Sequence, residues 1–255
     1  MSATPTFPNL VPDFRVVRAL PSSALGERLL VESIRERAPR LAHVLPASLA
    51  SRLSGGVDEL IARRLPHVEP VEEVRSDAGK AVLIAPYLGH VGGLITLDDL
   101  AVSRGGRLTP AEVVYAGEHL LTAIDAAHSG RVYNGPLDPA LVLVDRGGRS
   151  HIELYGVARY CERGPLDAAR ITEHELQSEL LSVFELLFRV LTGLDRRSIG
   201  VRPAQVVTEL DPALDHWLAR GLAAGDDLPP FESAEDALRE LRRHAGHERN
   251  VTRTR

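Results

Sequence analysis

The chain is poor in cysteine and in aromatic residues. Its 255 residues include one cysteine and one tryptophan, and aromatic residues make up 4% of the whole. The single cysteine, Cys161, excludes an internal disulfide and a thiolate metal cluster. The hydrophobic core alone must therefore hold the fold, and this composition favours the reducing cytoplasm as the location.

Features typical of membrane, nucleic-acid-binding and hydrolytic proteins are also missing. No stretch has eighteen consecutive uncharged apolar residues, and the first residues lack a basic segment followed by an apolar one. We therefore expect neither membrane insertion nor a signal peptide. The net charge is -5 with arginines scattered among acids, which argues against nucleic acid as a partner. No Gly-x-Ser-x-Gly turn and no zinc-type histidine spacing occurs, so neither a hydrolase triad nor a metal is predicted.

The residues that are present are typical of an ordinary soluble globular protein. Hydrophobic residues make up 44% of the chain and charged residues 25%. The length suits one large domain or two closely packed lobes. Residues 1–13 and 245–255 are polar and lack periodicity, so we predict that both ends are flexible.

The first half of the chain combines strand patterns with one strong helix signal. Short apolar segments between residues 14 and 46 predict an antiparallel sheet, and KAVLIAP predicts a buried strand that ends at Pro86. In TPAEVVYAGEHLLTAIDAAHSG, Thr109 is the expected N-cap, Glu112 its capping-box partner and Gly130 the end of the helix.

The second half opens with NGPLDPALVLVDRGGRSHIELYG, residues 134–156. Two apolar strands flank Gly147-Gly148, which suits a two-residue hairpin turn. The stretch EHELQSELLSVFELLFRVLTG is apolar on nearly all sides and predicts a central, buried helix. A further helix is expected from the N-cap Asp211 to a stop at Gly225, followed by an amphipathic surface helix in ESAEDALRELRRH.

The order of these elements resembles the protein kinase fold, and residues 108–159 are similar to bacterial Ser/Thr kinases. His128 takes the place of the histidine that commonly ends the family's fifth large helix. Gly156 takes the place of the last residue of the metal-binding motif, and Glu179 lies where the central C-lobe helix usually has an aspartate. The resemblance implies an α+β, bilobal fold, with a β-rich N-lobe at residues 14–88 and a mainly helical C-lobe at 89–244.

The resemblance also implies that the catalytic positions are degenerate. Phosphoryl transfer needs metal ions on the phosphates and a carboxylate that orients the attacking hydroxyl. Pro136 falls on the position of the catalytic base, which it cannot replace. Leu141 and Leu154 fall on the two metal-binding positions, where their side chains offer no oxygen ligand.

The phosphate side of the expected cleft is altered as well. The Gly-rich loop keeps only Gly26, and Pro21 and Ser23 stand where other residues of the loop are expected. His43 aligns with the strand lysine, and as a neutral imidazole it would supply no fixed charge. The helix glutamate that normally pairs with this lysine aligns with Glu59, and the only lysine of the chain, Lys80, lies one strand before the hinge.

These substitutions predict a catalytically inactive pseudokinase. We expect it to bind another protein as a regulatory or scaffolding module in the cytoplasm, without cofactor or metal. A metal-independent nucleotide switch is an alternative, because the hinge backbone could still hold an adenine; its residues are Ala85, Pro86, Tyr87 and Leu88. A divergent phosphotransferase or nucleotidyl transferase is another alternative, with Glu153 or Asp138 on the metal and Lys80 or an arginine on the phosphates.

Structural roles compete with these functional ones. Leu141 and Leu154 suit simple core packing, and Glu153 should point to the opposite strand face from Leu154. Asp138 and Asp145 are expected as solvated turn residues.

Overall fold

A computed structural model of the protein describes residues 11–53, 57–77, 80–168, 170–195, 201–223 and 229–252. Most of the stretch predicted as a flexible N-terminus, residues 1–10, and the last three residues lie outside this part. The prediction that the two lobes divide at residue 88 stays a prediction.

The first lobe is one five-stranded antiparallel sheet of order β1-β2-β3-β5-β4. Its strands are β1 Phe14–Ser23, β2 Gly26–Ser33, β3 Pro39–Leu45, β4 Glu73–Asp77 and β5 Lys80–Pro86. Two short helices, α1 Ala47–Ala50 and α2 Val57–Ala62, lie between β3 and β4. The predicted antiparallel strands are confirmed, as is the end of the buried strand at Pro86.

The second lobe is mainly helical and carries one small hairpin. Its helices are α3 Leu97–Ser103, α4 Pro110–Ser129, α5 Val157–Ala168, α6 Glu173–Thr192, α7 Pro212–Gly221 and α8 Ala234–Thr252. The hairpin strands are β6 Val142–Val144 and β7 Ser150–Ile152. None of the helices among the described residues is both long and apolar enough to cross a membrane.

The core of the second lobe surrounds α4 and α6. Phe184, Phe188 and Trp217 are fully buried there, and the Trp217 indole donates to the Ala237 carbonyl at 3.0 Å. The predicted central position of α6 is confirmed by the burial of eleven of its residues. Cys161 is a buried free thiol, and burial raises its pKa to about 11.

Local capping signals gave correct helix starts. Thr109 accepts from the Glu112 backbone and Glu112 from the Thr109 backbone, which confirms the predicted capping box of α4. Asp211 caps α7 as predicted. The predicted end at Gly225 is wrong, because α7 already stops at Gly221, and residues 224–228 lie outside the described part.

Three further expectations need correction. The β6–β7 turn is not a two-residue hairpin, since Val144 pairs with Ser150 and five residues lie between them. Asp145 was expected to be a solvated turn residue, but its side chain is buried and accepts hydrogen bonds from the Gly147 and Arg149 amides of this loop. The stretch predicted as a C-terminal tail is helical as far as Thr252.

Candidate functional site

The cleft between the lobes is lined by the sheet on one side and by the β6–β7 hairpin on the other. The segment before β4 adds to the hairpin, because Val68 bridges to Ile152 and the Glu69 amide donates to the Ile152 carbonyl at 2.9 Å. On the opposite side of the cleft, Arg28 of β2 and His43 of β3 face the chain that leaves the hairpin.

A buried ion pair between Arg28 and Glu153 joins the lobes inside this cleft. The Arg28 guanidinium contacts both carboxylate oxygens of Glu153, with 2.8 Å between Nε and Oε1. The two side chains are 4% and 0% exposed. Arg28 also donates to the Ala140 carbonyl, at 3.2 Å, and more weakly to the Pro21 carbonyl, at 3.4 Å. Arg28 thus connects the β1 end, the hairpin and the chain just before it.

His43 extends the ion pair into a buried network of four charged groups. Its Nδ1 lies 3.0 Å from Glu153 Oε1 and its Nε2 lies 2.9 Å from Glu69 Oε1. Burial alone would lower the pKa of His43, but the charge of Glu69 and the bonds to Glu153 and Glu69 raise it to about 9. His43 is therefore a cation at neutral pH, and the expectation of a neutral imidazole is wrong.

Glu153 is held as a carboxylate despite its burial. Burial raises its pKa, and the hydrogen bonds from Arg28 and His43 outweigh this effect and lower the pKa. Because Arg28 occupies both oxygens, a metal ion could bind Glu153 only after this pair opens.

Glu153 and Leu154 point into different surroundings, as predicted, although neither residue belongs to a regular strand. Glu153 faces the strand histidine, whereas Leu154 points into a separate cluster with Leu45, Leu83 and Cys161. The chain leaves β7 at Ile152, and Leu154 has a positive φ of 44°, so simple alternation does not extend to these residues. Leu154 is buried in the core, which confirms the prediction that it is a packing residue.

The other predicted catalytic equivalents lie on the chain before β6. Pro136 is exposed, and Leu141 is half-buried at the end of a 3-10 helix, Pro139–Leu141. The Leu141 carbonyl accepts from the Glu153 amide at 2.8 Å. Asp138 is exposed and caps the 3-10 helix, in agreement with the expected turn residue.

The predicted Gly-rich loop is a tight turn between β1 and β2. Ser23 pairs with Gly26, and the Ser23 hydroxyl accepts from the Leu25 amide at 3.2 Å. Gly26 has φ of 146°, and a Cβ added there would lie 2.2 Å from the Val44 carbonyl oxygen. Packing against β3 therefore requires glycine at this position.

Leucine side chains fill the space beside the predicted hinge. Leu20, Leu41 and Leu143 form one buried cluster, against which Leu30, Tyr87 and Leu94 pack. Leu41 pairs with Ala85 across β3 and β5, so this cluster adjoins the hinge strand. Pro86 and Leu88 are half-buried, and the Tyr87 hydroxyl donates to the His90 carbonyl at 3.2 Å.

Glu179 supports the loop that precedes the hairpin from below. It is fully buried on α6, and its carboxylate accepts from the Asn134 amide at 3.2 Å and contacts His128 Nε2 at 2.7 Å. The Asn134 side chain in turn accepts from the Gly156 amide at 2.8 Å. These bonds fix the chain on both sides of the hairpin.

Solved structures of kinase domains share the fold of this chain. The crystal structure of the Mycobacterium tuberculosis PknI kinase domain matches at a TM-score of 0.66 and 20% identity, covering 91% of this chain and 95% of that one. A cysteine-to-alanine mutant of that domain matches at 0.68 and 21%, covering 91% and 96%. The chain has a kinase-like fold. No family model and no curated protein matches it.

Within this kinase-like fold, sequence reasoning missed two members of the buried network. Glu69 contacts His43, and the side chain of Glu59, the predicted partner, lies outside the described part. The burial of Arg28 could have been predicted from the sequence. Arg28 shares a strand face with the apolar Leu30, and a charged residue on an apolar face needs a buried partner. Lys80 is exposed at the start of β5.

Three histidines also meet outside the cleft, although their sequence spacing gave no sign of it. His67 stacks on His119 with 4.1 Å between ring centroids, and His151 lies 6.0 Å from His67. Burial and the neighbouring His67 lower the pKa of His119 to about 4. Among the described residues no histidine, cysteine or acid group has the arrangement of a metal site.

Proposed function

We propose that this protein is a catalytically inactive pseudokinase that acts by binding another protein. The buried network of Arg28, Glu153, His43 and Glu69 is the observation that carries the proposal. It closes the part of the cleft where a kinase holds phosphates and metal between the Gly-rich loop, the β3 lysine and the metal-binding carboxylate.

The charges in the network argue against a phosphate ligand with metal. Two cations and two carboxylates already neutralise each other at distances of 2.8 to 3.0 Å. A nucleotide with magnesium would have to separate them, which costs several kcal/mol for a buried pair. The side chains of Pro136, Leu141 and Leu154 have no oxygen or nitrogen atom that could bind the metal or the phosphates in exchange.

The leucine cluster argues against adenine in the same way. Leu41 and Leu143 are almost completely buried and belong to the cluster beside Ala85. An adenine ring at the hinge would have to displace close-packed side chains, which interiors resist. This favours a protein-binding module over the metal-independent nucleotide switch.

The divergent phosphotransferase remains the alternative enzyme. It would need Glu153 to leave Arg28 and bind metal, or the exposed Asp138 to reach the cleft. The exposed position of Lys80 at the far end of β5 does not favour a role on the phosphates, since the hinge lies at the opposite end of that strand.

Thermal unfolding with ATP separates these functions. Titration with ATP, alone and with magnesium or manganese, should leave the melting temperature of this protein unchanged, because a ligand stabilises only a fold that binds it. An active Ser/Thr kinase is the positive control. A phosphate-transfer assay with a generic protein substrate should give the rate of a protein-free blank.

Two results would contradict the proposal in different ways. Stabilisation by ATP without metal would support the nucleotide switch. Stabilisation that requires magnesium and disappears in Glu153→Gln would support the phosphotransferase, since the amide keeps the shape of the side chain and removes its charge.

A further inference from the structure

We infer that the cavity between α3, α4 and the β6–β7 hairpin binds a partner peptide with an aliphatic side chain beside acidic residues. The inference rests on the proposed protein-binding function and names its surface. The cavity has a volume of about 260 Å³ and lies on the helical lobe, outside the cleft.

The floor of this docking cavity is apolar. It is lined by side chains from the segment before α3, from α3 and α4 and from β6, which include Ile95, Leu97, Leu100, Leu108, Ala116 and Val144. An aliphatic side chain inserted here would leave water for an apolar surface, which is the usual anchor of a peptide interface.

The rim of the docking cavity is cationic at the surface, although acids are also present. Asp145 is buried and Glu112 is half-buried, with 8% and 30% of their side chains exposed, and both carboxylates accept from local backbone amides. The two lining arginines are more exposed: Arg104, the ion-pair partner of Glu112, is 60% exposed, and Arg146 is exposed as well. An approaching ligand therefore meets guanidinium groups first, which favours acidic residues.

Two polar groups on the docking cavity have unused hydrogen-bonding capacity. Arg146 is exposed and donates through Nε to the Gly89 carbonyl at 3.0 Å, but it has no carboxylate partner among the described residues. His90 Nε2 is buried and has no hydrogen-bond partner within the same part of the chain. A ligand carboxylate at the rim can accept from the terminal N–H groups of Arg146.

Exposed apolar residues favour a peptide over a small molecule. Tyr115 lines the cavity and is 44% exposed, and Val91, next to His90, is 96% exposed. These residues extend the apolar surface beyond the cavity itself. An extended segment of a partner protein covers both the cavity and its surroundings, whereas a compact ligand fills only the cavity.

Fluorescence polarisation with designed peptides tests the inference. The probe is a labelled peptide in which two leucines flank a Glu-Asp pair, and the comparison peptides carry Lys-Lys for the acids or alanines for the leucines. We expect the first peptide to bind at least about tenfold more tightly than either comparison peptide, with an affinity that falls as salt rises.

Two variants assign the binding to the cavity. Ala116→Leu fills its floor and Arg146→Glu reverses the charge at its rim, and each should weaken binding about tenfold. Arg35→Glu, a charge reversal at an exposed residue of the first lobe, is the matched control and should bind like the wild type. Circular dichroism confirms that each variant is folded.

Equal binding of the three peptides, or equal affinity of all variants, would overturn the inference. Preference for acids without preference for leucine would do the same, because it indicates charge attraction alone. These results are independent of the ATP titration. The peptide experiment can contradict the docking cavity while the ATP titration still supports the inactive cleft, and the ATP titration can contradict the inactive cleft while peptide binding is observed.

Discussion

Arg28 pairs with the buried carboxylate of Glu153 in the cleft. Replacing it with methionine keeps the apolar stem but leaves Glu153 buried with His43 as its remaining partner. Removing one partner of a buried ion pair costs about 3–5 kcal/mol, so Arg28→Met should lower the free energy of unfolding by about this amount. Urea denaturation followed by tryptophan fluorescence measures it, since Trp217 is buried.

The neighbouring strand offers a matched control for this residue. Arg15 also pairs with a glutamate, Glu32, but their side chains are 66% and 23% exposed. Arg15→Met should therefore cost less than about 1 kcal/mol. The double change Arg28→Met with Glu153→Leu should recover part of the loss, because no unpaired carboxylate remains at that position. Equal effects of Arg28→Met and Arg15→Met would show that the burial of the network contributes nothing.

At the level of elements, the β6–β7 loop should depend strongly on Asp145. Its carboxylate accepts from the Gly147 and Arg149 amides at 2.8 and 3.0 Å and contacts His151 at 3.1 Å. Although burial raises the pKa of Asp145, these bonds lower it to about 2. Asp145→Ala should destabilise the protein by about 2–4 kcal/mol in chemical denaturation, because several partly buried hydrogen bonds share this one acceptor and are lost together.

Asp138 provides the comparison at the same scale. It accepts one bond, from the Ala140 amide at 2.9 Å, and its side chain is exposed. Asp138→Ala removes a single exposed cap, so it should cost about 1 kcal/mol or less. If both alanine variants lost the same stability, the loop would not depend on the buried position of Asp145.

The elements also show which parts of this structure a sequence can predict. The capping box of Thr109 and Glu112 was predictable because its partners are three residues apart. The partnership of Arg28 with Glu153 was not, because 125 residues separate them and only the assembled fold brings them together. The same holds for Glu69, whose place beside His43 is set by the bridge of Val68 to Ile152.

For the whole molecule, two histidines should limit stability at opposite ends of the neutral pH range. His43 faces Glu69 and Glu153, with Arg28 behind, and its pKa is raised to about 9. Its contribution is complete below the ordinary histidine pKa of about 6.5 and is lost as the pH rises through about 9. The shift corresponds to a loss of about 3 kcal/mol over this interval.

His119 acts in the opposite direction. Burial and the neighbouring His67 lower its pKa to about 4, so the unfolded chain takes up this proton first as the pH falls. Stability should therefore decline from about pH 6.5 towards pH 4. The two histidines together predict a maximum of stability near pH 6.5.

Thermal melts between about pH 5 and pH 9 test this maximum, with one variant for each side. His43→Lys carries an ammonium that stays charged across the range, so the decline above pH 6.5 should flatten while the acid side is unchanged. His119→Gln removes the depressed histidine, so the acid decline should become shallower while the alkaline side is retained. If neither variant changes the side assigned to it, the network of His43 and the stacked pair of His67 and His119 do not control the pH dependence of this fold.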